Sequence, residues 1–416
     1  MLYDTREDIP PHVPRDRIVD YDTYWVDAPD GDFAGALVSL RGSGIPQLFW
    51  TPRNGGHWVA LDGADIRHVL EHPETFSSRA MRVPKEANPN PPMMPLMIDP
   101  PDHHLYRRLI APAMTPAAVR RLEEGARALA VELIENLAPH GHCEFVADFA
   151  QQMPIAVFMG MLDLPREDRP LIMAIVDKII RPETPAQRMA GFTELAKYTL
   201  GRLAEHRRGL SSDGMLAHLV AARIKGELLR DDELIGVTTV LMLAGLDTVA
   251  GMLSFIVQFL AKSPEHRALL RARPELTTNA VEEFLRRMAM VNLTREVDEA
   301  AMLDGIALAK GDLIVLPTAL CNFPDDGEDW LAVDFERPRQ AHATFGAGPH
   351  YCIGSMLARA EIRIFLEEWL ARIPDFAIPE DVVLEVKVGA AAMISRLPLV
   401  WTKPGFKATG PKRAEP

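Results

Sequence analysis

A single cysteine closes the run Phe345-Gly346-Ala347-Gly348-Pro349-His350-Tyr351-Cys352-Ile353-Gly354, and the residues that follow, SMLARAEIRIFLEEWL, place apolar side chains at helical spacing. A loop ending at a helix start brings a thiol to unpaired N–H groups and positive partial charge, which favour the thiolate. That is the form of cysteine that binds a metal. The glycines let the backbone turn sharply and bring amide hydrogens near the sulfur, while Phe345 can lie against a flat ring. The run lacks the Gly-Lys-Ser/Thr ending of a phosphate-binding loop.

A second constellation is Ala244-Gly245-Leu246-Asp247-Thr248, an acid beside an alcohol within the apolar stretch 234–260. A buried aspartate must be paired or hydrogen-bonded. From the residues alone the segment is either a proton-handling pair or a helix kink, in which Gly245 weakens the helix and Thr248 bonds back to a carbonyl. Glu283 and Arg286 stand at i and i+3 and share a helix face.

The elements that must position these residues are mainly helical. Apolar spacing predicts helices over 116–137, 167–180, 185–208 and 213–222, and LFWTPRNGGHWVAL reads as a hairpin turning at Asn54-Gly55. Segment 294–317 reads as short strands broken at Asp304-Gly305 and Lys310-Gly311, and 383–401 as another strand pair. The expected class is α+β, predominantly α-helical with small sheets. One domain is expected over 1–404, with 405–416 a disordered tail.

With 416 residues and 48% hydrophobic content, the chain can bury a large cofactor. A formal net charge of -13 excludes a nucleic-acid partner, which needs a basic surface. Cys143, Cys321 and Cys352 lie far apart, which argues against a disulfide scaffold or a zinc finger. The N-terminus lacks an apolar signal core, so a cytoplasmic location is expected. Stretch 234–260 could span a bilayer by length, but Asp247 near its middle would cost about 3 kcal/mol there, so a buried core helix and no membrane are expected.

The motif F-G-x-G-x-H-x-C-x-G resembles the haem-binding signature of the cytochrome P450 family, and the resemblance runs from PPHVP at 10–14 to LPLVW at 397–401. It implies the cytochrome P450 fold around a buried haem b (iron protoporphyrin IX), with Cys352 as the proximal iron ligand. It implies a monooxygenase that inserts one atom of O2 into a C–H bond. Asp247 and Thr248 would then shape the dioxygen groove and relay protons. His103, Arg107, Arg295 and His350 would hold the haem propionates. Glu283 and Arg286 would form an interior ion pair joined by Arg337, serving folding and haem retention.

NGGHW, FSS, GLDTV, SPEHR and LPLVW resemble the bacterial camphor-hydroxylating subgroup. The departures fall at the pocket: no tyrosine occurs in 82–105 to bind a substrate carbonyl, and Arg79 replaces an acidic residue of that subgroup's cation site. The expected pocket is apolar and pliable, lined by Met93, Met94, Leu96, Val240, Leu243 and Val291. An ionone-like norisoprenoid or other small terpenoid ketone suits it better than camphor. With no flavin or nicotinamide domain, electrons would come from a separate [2Fe-2S] ferredoxin and its NAD(P)H-dependent reductase. Arg107, Arg108, Arg339, Arg359 and Arg363 would offer a local basic face, and the protein would act as a monomer. The competing readings are a peroxide-driven peroxygenase, which would lack the acid–alcohol pair, and a non-catalytic haem or ligand carrier.

Overall fold

The computed structural model describes residues 9–402 apart from 181, 183, 210–213, 325–328 and 390, so the expected tail at 405–416 lies outside the described residues. Helices dominate and the sheets are small, as expected. Thr115 opens the helix Pro116–Leu137: its hydroxyl accepts the Ala118 N–H, and Pro116 supplies a fixed φ at the first position. Its buried stripe, Ala118, Val119, Ala126, Ala130 and Ile134, faces the helix Ser355–Arg372 that follows the cysteine loop. Nearby, Phe145, Phe149, Phe365 and Trp369 interlock edge to face and stacked, with centroids 5.1–5.7 Å apart.

Strands Leu48–Thr51 and His57–Ala60 form the expected hairpin. They continue through Leu313–Pro317 and Asn292–Val297 to Phe76–Ser77 in a five-stranded sheet. Arg295 pairs in register with Ile314, which fixes its height on the sheet. The strand break expected at Asp304-Gly305 is the turn of a hairpin joining Ala301–Leu303 to Ile306–Leu308. Val386–Val388 pairs with Ala392–Ile394, and Pro398–Trp401 crosses to Phe376–Ala377 and His142–Glu144.

The apolar stretch 234–260 is not one helix. It lies within two, Asp231–Leu243 and Leu246–Lys262, interrupted at 244–245. Acids crowd the first turn, and the Glu233 carboxylate accepts the Arg230 N–H at 2.7 Å. The combined span is long and apolar enough to cross a membrane, yet 65% of its most apolar window is buried against the rest of the protein. Two apolar clusters result. Val249, Met252, Leu253 and Ile256 belong to the first, and Leu234, Val237, Leu241 and Met242 to the second, so this broken core helix serves both.

Candidate active site

Nested turns build the cysteine loop. Gly346 N–H donates to the Ala343 carbonyl at 2.8 Å, Tyr351 N–H to Gly348 at 3.1 Å and Cys352 N–H to Phe345 at 2.9 Å. Gly354 then caps the Ser355–Arg372 helix. Burial pushes the Cys352 thiol up, against the Gly354 N–H and the charges of Arg107 and Arg359, which pull it down. The Gly354 N–H at the helix start pulls toward the thiolate, as expected, and a coordinated cation would add to that pull. Although packed deep among protein atoms, Cys352 keeps accessible surface. The guanidinium of Arg359 lies 4.6 Å over the Phe345 ring and pairs with Glu282 at 2.7 Å.

Four donor side chains gather beside the loop. His103 and Arg107 lie one turn apart on the helix His103–Ile110. The His103 ring stands 4.2 Å from that of His350, and Arg107 Nη2 donates to the Tyr351 carbonyl at 2.7 Å. Arg295, 6% exposed, donates to its neighbour's carbonyl, Thr294 O, at 2.8 Å. Both ring nitrogens of His103 and Nε2 of His350 are buried without a hydrogen-bond partner. Burial, then Arg295, His103 and Arg107, hold His350 down to about 3. Burial and Arg107 hold His103 to about 4, and burial lowers Arg295 to about 10. Asp99, within reach of Arg295 and His103, already accepts from Ser77 Oγ and the Ser78 N–H. Buried donors crowded together without a matched anion are costly, and a ligand carrying two carboxylates relieves them. The residues present therefore fit a haem: these donors would hold its two propionates and Cys352 would hold its iron.

The core helix keeps one accessible face. Val240, Leu243, Ala244, Asp247 and Thr248 keep accessible surface, while Val237, Leu241, Met242, Val249 and Ala250 are buried. Those offsets define one side of a helix. Leu243 and Ile353, the neighbour of Cys352, pack on the same apolar cluster. Thr248 Oγ1 donates to the Ala244 carbonyl at 2.9 Å, the back-bond of the kink reading, and it does so at the helix interruption. The kink and the acid–alcohol pair occupy one place.

Glu283 and Arg286 form a two-pronged ion pair at 2.7 and 2.8 Å, 6% and 2% exposed in their side chains, and Arg337 Nε approaches the same carboxylate at 3.4 Å. Arg286 also donates to the carbonyls of Trp330 and Ala332. Of the expected pocket residues, Met93 and Met94 are buried and Leu96 is half-buried. Met94 and Leu243 meet on the second cluster, whereas Val291 packs on the first. The loop carrying Met94 lies directly on the core helix, since a β-carbon on Gly236 would meet Met94 Cγ at 3.3 Å.

Several features escaped the sequence reading. Asp99 opens the run DPPDHH at 99–104, but nothing local marks its tie to Ser77 and Ser78. Arg359 and Arg363 are spent in ion pairs with Glu282 and Glu123 at 2.7 and 2.9 Å, which reduces the expected basic face. Tyr106 OH donates to the Glu233 carboxylate at 2.5 Å, tying the His103–Ile110 helix to the start of the core helix.

The model of the family "Cytochrome P450" matches residues 161–374. The chain is 32% identical over 403 residues to "Probable cytochrome P450 127A1" of Sinorhizobium fredii, covering 94% of this chain and 97% of the relative. It is 30% identical over 396 residues to "Steroid C26-monooxygenase" of Mycobacterium tuberculosis, covering 91% and 97%. The crystal structure of CYP101J2 superposes with a TM-score of 0.87 at 34% identity, covering 95% of this chain and all of that one. The chain belongs to the cytochrome P450 family. Its cofactor is haem b, and its class of activity is monooxygenation with O2 and a redox partner.

Proposed function

We propose that Cys352 is the axial thiolate of the haem and that the enzyme hydroxylates a small apolar terpenoid or norisoprenoid ketone. The observation that carries the site assignment is the pair of buried histidines, His103 and His350, whose ring nitrogens lack partners, gathered with Arg107 and Arg295 beside the one exposed cysteine. When bound, the haem supplies dioxygen activation at its iron. The overall change takes the C–H bond, O2, two electrons and two protons to an alcohol and water.

This chain's residues do the rest. Phe345 would lie against the haem beside Cys352, and Arg359 over Phe345 stiffens that support. Thr248 Oγ1 and the Asp247 carboxylate hold and pass protons at the helix interruption, where ordered delivery keeps stray water from diverting the reduced oxygen. Glu283, Arg286 and Arg337 act as a fold-holding network. Met93, Met94, Leu96, Val240, Leu243 and Val291 receive an apolar substrate, methionine adapting to an irregular outline. The camphor-hydroxylase-like subgroup is supported by the motifs NGGHW and GLDTV and by the likeness to CYP101J2. A [2Fe-2S] ferredoxin with its NAD(P)H-dependent reductase is the proposed electron source, serving a monomeric enzyme that is one domain over 1–404.

The test is the absorption spectrum of the reduced protein under carbon monoxide, in wild type and Cys352→Ala. A thiolate-type Soret band lost in the variant supports the ligand, and a band that survives the substitution removes it. Titration of the ferric protein with ionones, camphor and sterols then reads the substrate class from the low-to-high spin shift. A response to sterols alone would overturn the small-ketone assignment. Turnover with hydrogen peroxide and none with reduced ferredoxin would replace the monooxygenase reading by the peroxygenase one.

A further inference from the structure

The helix Gln152–Met161 crosses the core helix and contacts both halves of it. At the interruption, a β-carbon placed on Gly245 would overlap the ring of Phe158, which is 7% exposed. The ring therefore rests on bare backbone at the residue where the helix breaks, while the next residue back, Ala244, is exposed. Phe158 shares the second apolar cluster with Leu241 and Met242 of the core helix's first half. Interiors packed at this density transmit a displacement rather than absorb it.

We infer that Phe158 is a positioning residue: seated on Gly245, its ring sets the offset between the two halves of the core helix. That offset fixes the place of Asp247 and Thr248 and of the Ala244 carbonyl that Thr248 binds. The geometry is independent of any activity, and the catalytic consequence rests on the monooxygenase reading. Two volume errors of opposite sign should then cancel. Gly245→Ala adds a methyl group where the ring lies, and Phe158→Leu removes ring atoms from the same spot. Either change alone displaces the interruption, and the two together refill it.

The experiment compares the haem-loaded full chain as wild type, Gly245→Ala, Phe158→Leu and the double variant, with two readouts. The first is hydrogen exchange of amides 244–249, and the second is the peroxide released per O2 consumed with ferredoxin and substrate. Each single change should speed exchange in that segment about tenfold and leave the distant Pro116–Leu137 helix unchanged. Each should also raise the peroxide share severalfold while the substrate spin-shift titration stays in place. The double variant should return both readouts toward wild type. Additive single effects, or exchange that rises equally everywhere, overturn the positioning role. Rescued exchange with a peroxide share that never moved in a competent enzyme overturns its link to catalysis. A wild type that consumes no O2 with ferredoxin sinks the monooxygenase reading, and the exchange cycle still decides whether Phe158 sets the helix. If Phe158→Leu does not accumulate as folded protein, Phe158→Met puts the same question with a more pliable side chain of about the same volume.

Discussion

Arg295 shows most plainly what a buried cation without a matched anion asks of its surroundings. Under the proposed site, replacing it with leucine removes a charged hydrogen-bond partner of a propionate, worth roughly 1.5–3 kcal/mol. Haem transfer to a scavenger should accelerate by about tenfold to a hundredfold, and an unchanged rate would take Arg295 out of the site. Thr248→Ala deletes the donor to the Ala244 carbonyl without adding bulk. We expect spin-shift affinity to hold and the peroxide yield to climb, and unchanged coupling would remove Thr248 from proton delivery. Glu361 belongs to none of these roles. It is 1% exposed, its Oε1 has no partner, and burial raises it to about 8. The folded protein keeps this proton while the unfolded chain releases it near the ordinary carboxyl value. Glu361 therefore costs nothing below that value and costs stability progressively as the pH rises toward about 8. The slope for one such proton is about 1.4 kcal/mol per pH unit. Glu361→Gln should lack that slope, so urea midpoints of the two proteins diverge across the window. Parallel curves would mean the carboxyl is ionised in the fold.

Among the elements, the Thr277–Arg287 helix carries Glu283 and Arg286 to a place where they meet Arg337 and the carbonyls of Trp330 and Ala332. Breaking such a network at one member leaves a buried charge without its counterion, a loss of about 3–5 kcal/mol. Glu283→Ala should lower the unfolding midpoint accordingly, whereas a loss below about 1 kcal/mol would class the pair with solvated ones. The helix Pro116–Leu137 was legible to its last residue because threonine cap, proline and apolar period agree there. The hairpin at Asn54-Gly55 was legible for the same kind of reason. The break at 244–245 was only half legible. Gly245 and Thr248 signal a weak point, but the Phe158 ring that lies on it comes from a helix far away in sequence. The gathering of His103, Arg107, Arg295 and His350 followed from the family resemblance, since no local pattern joins a helix, a strand and a loop. The burial that opposes the thiolate at Cys352 was not legible, because burial is a property of the assembled fold.

At the scale of the whole chain, both apolar clusters lean on one broken helix, so the single-domain proposal predicts one cooperative transition. Trp58 and Trp369 lie within the first cluster, so tryptophan fluorescence reports that part. Far-UV dichroism also samples the helices Arg169–Ile180 and Pro185–Arg207, whose side chains Ile172, Ile175, Leu195 and Leu203 build the second. Coincident denaturant midpoints are expected, and separated ones would divide the chain into two folding units. The contact between the helix Gly63–Glu71 and the cysteine loop carries a different consequence. Gly348 has a φ of 67°, and any side chain there would drive into the Leu70 carbonyl. The loop that presents the sulfur is thus gauged against a helix from near the other end of the chain. In a diverging lineage, an insertion within Gly63–Glu71 would have to be matched by a change in the loop. A breeder of new variants would find position 348 closed and residues 70 and 71 the practical handle on the cysteine loop.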